Sequence, residues 1–409
     1  MSTGAARLRA PGLGSEATKR WALPALVIAL IFAYPLLIEN VSFLDSLFVG
    51  RLGIDMDAAF QMATYVMLAL GLNIVVGYAG LLDLGYVAFF ALGAYTLGWF
   101  GSGLFAIYDW NVHFLDVGNP DLPGLHLSFW VVVPLAGLVC AIAGIIIGWP
   151  TLRLRGDYLA IVTLGFGEII PDVFRNGDSI GGKNVTNGVR GITQLDRPGF
   201  GETLNNATNG FLPDRYSSLP SELKPWYYTI LIMCLITIFV NLRLRDSKMG
   251  RAWIAVREDE VAASAMGVPL MRTKLWAYAI GGVFGGLAGS VYGSFINGIF
   301  PTSFSFQISI IVLVMVIVGG MGNVWGVIVG ASLISWLNFS GLGKIGSLLN
   351  DAIPGSSHDV EITKYKYGLF GFLLILMMLF RPEGLIPSAR RKAEFKEGDE
   401  AYLYDVRTE

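Results

Sequence analysis

Long apolar runs separated by short polar breaks dominate the chain from Trp21 to Phe380. A helix needs roughly 20 predominantly apolar residues to cross a hydrocarbon core. Ten stretches approach that length: Trp21–Ile38, Ala58–Gly77, Gly85–Ile107, Leu127–Ile147, Tyr158–Phe174, Trp226–Val240, Leu275–Ile299, Phe306–Gly319, Asn323–Leu337 and Tyr367–Phe380. The fifth, eighth and ninth are short or interrupted by Gly, Pro or polar residues, so half-helices packed inside a bundle suit them as well as full spans do. The pattern predicts an all-α polytopic membrane protein with about ten transmembrane helices.

Charge orients these helices. Arg153 and Arg155 follow the fourth span, the stretch 241–274 holds Arg243, Arg245, Lys248, Arg251, Arg257, Arg272 and Lys274, and the tail after Phe380 opens with Arg381. The loop Asp109–His126 has no Lys or Arg. With ten crossings the basic stretches share one side, which the positive-inside rule assigns to the cytoplasm, so both termini are predicted to be cytoplasmic. The chain then divides into a cytoplasmic tail (1–20), a membrane domain (21–380) and a second cytoplasmic tail (381–409). The membrane domain contains an external loop (175–225) and a cytoplasmic loop (241–274).

Composition agrees: 54% of residues are hydrophobic and 15% charged, against about 25% charged in soluble proteins. A net charge of −2 argues against a nucleic-acid partner and leaves the lipid bilayer as the expected surroundings. Cys140 and Cys234 lie inside apolar runs, which excludes a disulfide framework. The polar start and long first apolar run do not have the layout of a cleaved signal peptide.

No catalytic constellation is visible. The three histidines, His113, His126 and His358, lack a second ligand at metal-binding spacing, so no metal and no cofactor is expected. The stretch GLGKIG (Gly341–Gly346) lacks the upstream glycine and the Ser/Thr of a nucleotide-binding loop. Any ATP hydrolysis must then occur on another chain. Polar groups do fall at or near membrane depth: Gln61, Asn73, Asp83, Glu168, Asp172 and Gln307. Such groups default to a functional reading. Glu168, between the helix-loosening Gly165 and Gly167 and the helix-breaking Pro171, is a candidate with Asn73 for a substrate pathway; pairing with an Arg or capping a broken helix are its structural alternatives. Asp83, in the turn GLLDLG, is expected at the cytoplasmic boundary. Gly281, Gly285, Gly289 and Gly293 recur every fourth residue, with Gly282 and Gly286 alongside, a pattern that permits close helix packing.

One stretch does not fit a membrane span. In AVREDEVAASAMGVPL, Ala255–Leu270, the charges Arg257, Glu258, Asp259 and Glu260 precede a run of small residues, and Gly267 and Pro269 end it. Acids suit a helix N-terminus and Gly suits the position just past its end. A short small-sided helix on the cytoplasmic side fits a groove in a soluble partner. The alternative, a helix lying on the membrane surface, wants bulky apolar residues, and only Trp253 and Ile254 supply them.

This stretch resembles the cytoplasmic coupling segment of ATP-binding-cassette importer permeases. More narrowly, it is similar to that of the LivM-type permeases of branched-chain amino acid importers. Ala262, Ala263 and Gly267 keep the spacing of the general pattern, while the acid, Glu260, stands one residue further upstream. GLNIVVGYAGLLDLGYVAFFALGAY (Gly71–Tyr95), LRLRGDYLAIVTLGFGEI (Leu152–Ile169), VGGMGNVWGVIVGA (Val318–Ala331) and MMLFRPEGLIPS (Met377–Ser388) carry the same resemblance. It implies a transport subunit of the bacterial cytoplasmic (inner) membrane that is not itself an enzyme. The implied partners are a second homologous permease subunit, two cytoplasmic ATP-binding subunits and an extracytoplasmic solute-binding protein delivering leucine, isoleucine or valine. The coupling set is then Arg257, Glu258, Asp259, Glu260, Ala262, Ala263 and Gly267. In the external loop, Asp178, Asp196, Arg190, Arg197 and Arg215 are candidates for ion pairs with a docking protein. Urea or short amides are the alternative cargo. A stand-alone secondary transporter would want several acids deep in the spans, where only Glu168 and Asp172 come near.

Overall fold

The computed structural model describes residues 29–38, 40–110, 112–114, 123–154, 156–199, 223–352 and 362–387. They fall into two units that divide between Leu52 and Gly53. In the first, helices α1 (Ala29–Ile38) and α2 (Ser42–Arg51) meet at 101°, and the Tyr34 and Phe48 rings pack edge to face, 5.8 Å apart.

The second unit is a helical bundle. Its helices are α3 (Met56–Tyr78), α4 (Val87–Phe100), α5 (Phe129–Thr151), α6 (Asp157–Arg175), α7 (Leu223–Asp246), α8 (Lys248–Glu258), α9 (Glu260–Ala265), α10 (Leu270–Ile296), α11 (Phe306–Gly319), α12 (Val324–Trp336), α13 (Leu342–Ala352) and α14 (Lys366–Phe380). The last turn of α3, Asn73–Tyr78, is π-helical, and a π turn at Leu337–Gly341 carries α12 into α13. α10 is the hub, packed against α3, α4 and α5.

Glycine explains how these helices approach. Apolar side chains gain little by leaving lipid for a protein interior, so association in a membrane rests on close packing and backbone approach. A Cβ at Gly281 would stand 2.5 Å from Val75 of α3, one at Gly285 2.9 Å from the Phe89 Cβ, and one at Gly289 would collide with the Phe90 carbonyl of α4. On the adjoining face a Cβ at Gly286 would meet the Cys140 Sγ of α5 at 2.6 Å. Gly293 is looser, with Ile299 at 3.3 Å. The same contacts set direction: Phe60 stacks on Phe295 while Gly281 meets Val75, so α3 runs antiparallel to α10, and α4 runs parallel to it.

Seven helical stretches among the described residues are long and apolar enough to cross a membrane: Met56–Tyr78, Phe129–Thr151, Trp226–Asp246, Leu270–Ile296, Pro301–Gly319, Val324–Ser347 and Ile362–Phe380. The bent pair α1–α2 makes an eighth if it counts as one span. Three sequence-predicted spans differ in detail. Trp21–Ile38 lies partly outside the described residues. Gly85–Ile107 contains only the 14-residue α4. The chain leaves that helix at Gly101 because strand β1 (Gly101–Ser102) pairs with β3 (Leu125–Leu127), which also pairs with β2 (Val112–Phe114). Tyr158–Phe174 forms α6, but Asp157, Glu168 and Asp172 are exposed on it, and it fails the apolar requirement. The short strands, with β4 (Ile192–Thr193) and β5 (Gly298–Ile299), are additions to an otherwise helical fold.

The turn at Asp83 is packed within the bundle, with Asp83 1% exposed. Leu81–Tyr86 re-enters the bundle: Tyr86 donates from its hydroxyl to the Gly281 carbonyl (2.8 Å), well inside α10. Irregular backbone survives at such depth only when its polar groups are satisfied by protein. Here the Thr163 hydroxyl accepts from Leu84 N–H (3.1 Å), Ser309 from Val87 N–H (2.9 Å), and Asp83 itself accepts from Gly85 N–H (2.8 Å).

The segment predicted as an external loop is stitched rather than loose over its described part, 175–199. β4 pairs with β5, Ser294 donates to the Asp196 carbonyl (2.6 Å), and Asn297 accepts from Leu195 N–H (3.0 Å). Asp196 pairs with the buried His126 at 2.9 Å, which removes it from the free ion-pairing set, and Arg215 lies outside the described residues.

Candidate functional site

The charged stretch folds as two helices, not one. Arg257 and Glu258 complete α8, and Asp259 breaks the path with extended backbone (φ −153°, ψ 111°). Its carboxylate then accepts from the Val261 (2.7 Å) and Ala262 (3.0 Å) N–H groups, capping α9. At the other end Gly267 adopts φ +85°, where a side chain is strained. Val268 N–H donates to Ala263 O and Gly267 N–H to Ser264 O, each at 3.0 Å, the paired bonds of a Schellman cap. Six residues are too few to hold a helix by themselves, and both ends are fixed by caps.

The predicted coupling residues therefore have different tasks. Asp259 and Gly267 shape the helix. Arg257, Glu260 and Ala263 turn inward: Ala263 is buried, Glu260 pairs with the buried Lys274 of α10, and the Arg257 guanidinium donates to the Gly77 carbonyl of α3 at 2.6 Å. Glu258 and Ala262 face outward with Val261 and Met266, which are 69% and 85% exposed. The outer surface is thus a small apolar tip with an acidic shoulder.

Two anchors escaped the sequence reading. Trp253, fully buried, donates from its indole to the Thr273 carbonyl (2.8 Å) and locks α8 onto α10. Lys274, one of the basic residues of the 241–274 stretch, is 4% exposed. Its partner Glu260 lies fourteen positions away, a spacing no local pattern flags.

The two pathway candidates are far apart in kind. Asn73 is fully buried, and its Oδ1 accepts from Gly322 N–H (2.9 Å) in the turn between α11 and α12. Glu168 is exposed on α6, near Gly165, which has open space around it, and Asp172, which pairs with Arg175 at 3.3 Å. Gln61 donates to Asp57 (2.7 Å), and Gln307 is exposed. Among the described residues no cluster of three His, Cys, Asp or Glu could hold a metal.

Comparison with known proteins bears on this arrangement. Residues 56–378 match the family described as branched-chain amino acid transport system / permease component. The chain is 35% identical over 393 residues to the high-affinity branched-chain amino acid transport system permease protein LivM of Salmonella typhimurium, covering 94% of this chain and 79% of that one. It is 35% identical over 399 residues to LivM of Escherichia coli, covering 95% and 83%. The permease protein LivH of the same named system in Salmonella typhimurium is 24% identical over 326 residues, covering 79% and 91%. No solved structure matches. With the family match running from the first turn of α3 into the last of α14, the chain belongs to the permease family of branched-chain amino acid transport systems and is a homologue of LivM.

Proposed function

We propose that this chain is the membrane-spanning permease subunit of an ATP-driven importer, moving leucine, isoleucine and valine across the bacterial cytoplasmic membrane. The observation that carries this reading is the α9 tip. A six-residue helix, capped at both ends and braced on α10 and α3, holds Val261, Ala262 and Met266 out to solvent. An exposed apolar helix face held rigidly is what a groove in a partner requires. Two cytoplasmic ATP-binding subunits are the partners, one engaging this helix and one engaging a second, related permease. The similarity to both LivM and LivH supports that pairing.

The end of the bundle bearing α8 and α9 faces the cytoplasm, as its Lys and Arg content favours, and both termini lie there. The opposite end, where β4 and β5 pair, receives the solute-binding protein. Exposed charge on α6 supports a place for Glu168 on the translocation path. The exposed side chains of α5 are apolar (Leu138, Ile142, Ile146, Trp149), which suits lipid. Glu168 and Asp172 are costly against lipid and suit water or a protein neighbour.

The test is leucine uptake in cells with this chain deleted and then restored, with isoleucine, valine, urea and acetamide as competitors. Rescue inhibited only by the aliphatic amino acids is expected. Uptake that ignores the chain altogether would overturn the assigned cargo.

A further inference from the structure

Arg257 reaches away from the coupling tip, toward the π turn that ends α3. Its guanidinium donates to the Gly77 carbonyl at 2.6 Å. Carbonyls at a helix C-terminus carry partial negative charge, and a cation there makes a strong, charge-assisted bond. The same π turn begins with Asn73, whose Oδ1 accepts from Gly322 N–H at 2.9 Å. One turn of α3 therefore touches α8 by one bond and the α11–α12 turn by another.

That second turn is itself tied down. Leu385 N–H donates to Val318 O (2.8 Å), Ile386 N–H to Gly319 O (3.2 Å), and the Asn323 side chain to Ile386 O (2.9 Å). The chain following α14 thus clasps the turn between α11 and α12. The junction has little slack: a Cβ at Gly77 would stand 2.7 Å from Gly322 N, and one at Gly80 2.6 Å from the Arg257 Cγ. Trp253 and Glu260 meanwhile bind α8 and α9 to α10. The coupling segment thus grips both α10 and the α3 π turn, and the π turn leads by direct hydrogen bonds to the α11–α12 turn and the segment after α14.

We propose that Arg257 and Asn73 are positioning residues that transmit displacement of α8–α9 through the α3 π turn to the α11–α12 turn. A π turn holds an extra residue and is a recurrent feature of functional sites in helices. It can exchange i→i+5 for i→i+4 bonds without unravelling the helix, so a pull on the Gly77 carbonyl has a low-cost response. The inference rests on the importer reading above.

The experiment uses the complete complex in proteoliposomes, with the second permease, the ATPases and the binding protein. It reads leucine taken up per ATP hydrolysed. Arg257→Ala and Asn73→Ala should lower the ratio of leucine uptake to binding-protein-stimulated hydrolysis at least tenfold. Arg257→Lys and Asn73→Asp, which keep a cation and an acceptor oxygen, should restore part of the ratio. A merely structural role would lower uptake and hydrolysis together, in step with the amount of assembled complex. That result, or an unchanged ratio, overturns the proposal. A wild-type complex that hydrolyses ATP without taking up leucine instead overturns the importer reading.

Discussion

In α10 a small residue is small because a neighbouring backbone occupies the space; in α9, the next helix back along the chain, a small residue is small while facing solvent. A Cβ at Gly289 would collide with the Phe90 carbonyl, and one at Gly281, Gly285 or Gly286 would meet a neighbouring helix's atoms within 2.9 Å. Ala262 and Ala265, by contrast, are exposed, and nothing lies within 4 Å of a Cβ built at Gly267. The same residue class thus serves close packing in one helix and an open, solvent-facing surface in the other. Burial, not composition, separates the two uses.

The strongest way to break this comparison is to enlarge a residue in each helix. Gly289→Leu forces α4 and α10 apart at a backbone contact, with a cost of about 3 kcal/mol from overpacking. Loss of monodisperse protein on extraction from the membrane is the expected result; a normal yield and melting temperature would contradict the tight interface. At the exposed C-cap of α9, Met266→Lys, which suits the helix dipole, should leave the fold within about 0.5 kcal/mol. Co-purification of the ATP-binding subunits should fall more than tenfold. Retained co-purification would move the docking surface elsewhere.

The smallest effect sharpens the contrast within α9 itself. Asp259→Ala removes the acceptor for two N–H groups and should cost about 1 kcal/mol of local helix stability. Hydrogen exchange at Val261 and Ala262 should quicken while exchange in α10 stays unchanged. Simultaneous loosening of both helices would mean that the cap supports the bundle as well as the tip.

The two helices also differ in how much of them can be read directly from the chain. Four-residue spacing exposes the Gly281–Gly293 row because helix periodicity is local. Asp259 and Gly267 announce the ends of α9 because capping involves residues only two to five positions apart. The division at Asp259 is less visible: the four charges read as the entrance to one helix, although Arg257 and Glu258 end the helix before it. Helix continuity turns on a single residue's φ and ψ, and four consecutive charges do not reveal it.

The sequence by itself determined that the chain is a helical membrane protein of an importer permease family, with a capped polar segment between long apolar helices. Apolar run length, cap residues and family motifs are all properties of neighbouring positions. Only the tertiary structure decided which face of each helix meets which neighbour. It buried Lys274 against Glu260, drew Arg257 to the Gly77 carbonyl 180 residues away, folded Leu81–Tyr86 into the bundle, and left Glu168 exposed. Those outcomes depend on helix rotation and close approach. They are fixed when α3, α4 and α5 pack together on α10, and no local pattern records the angle at which they do so.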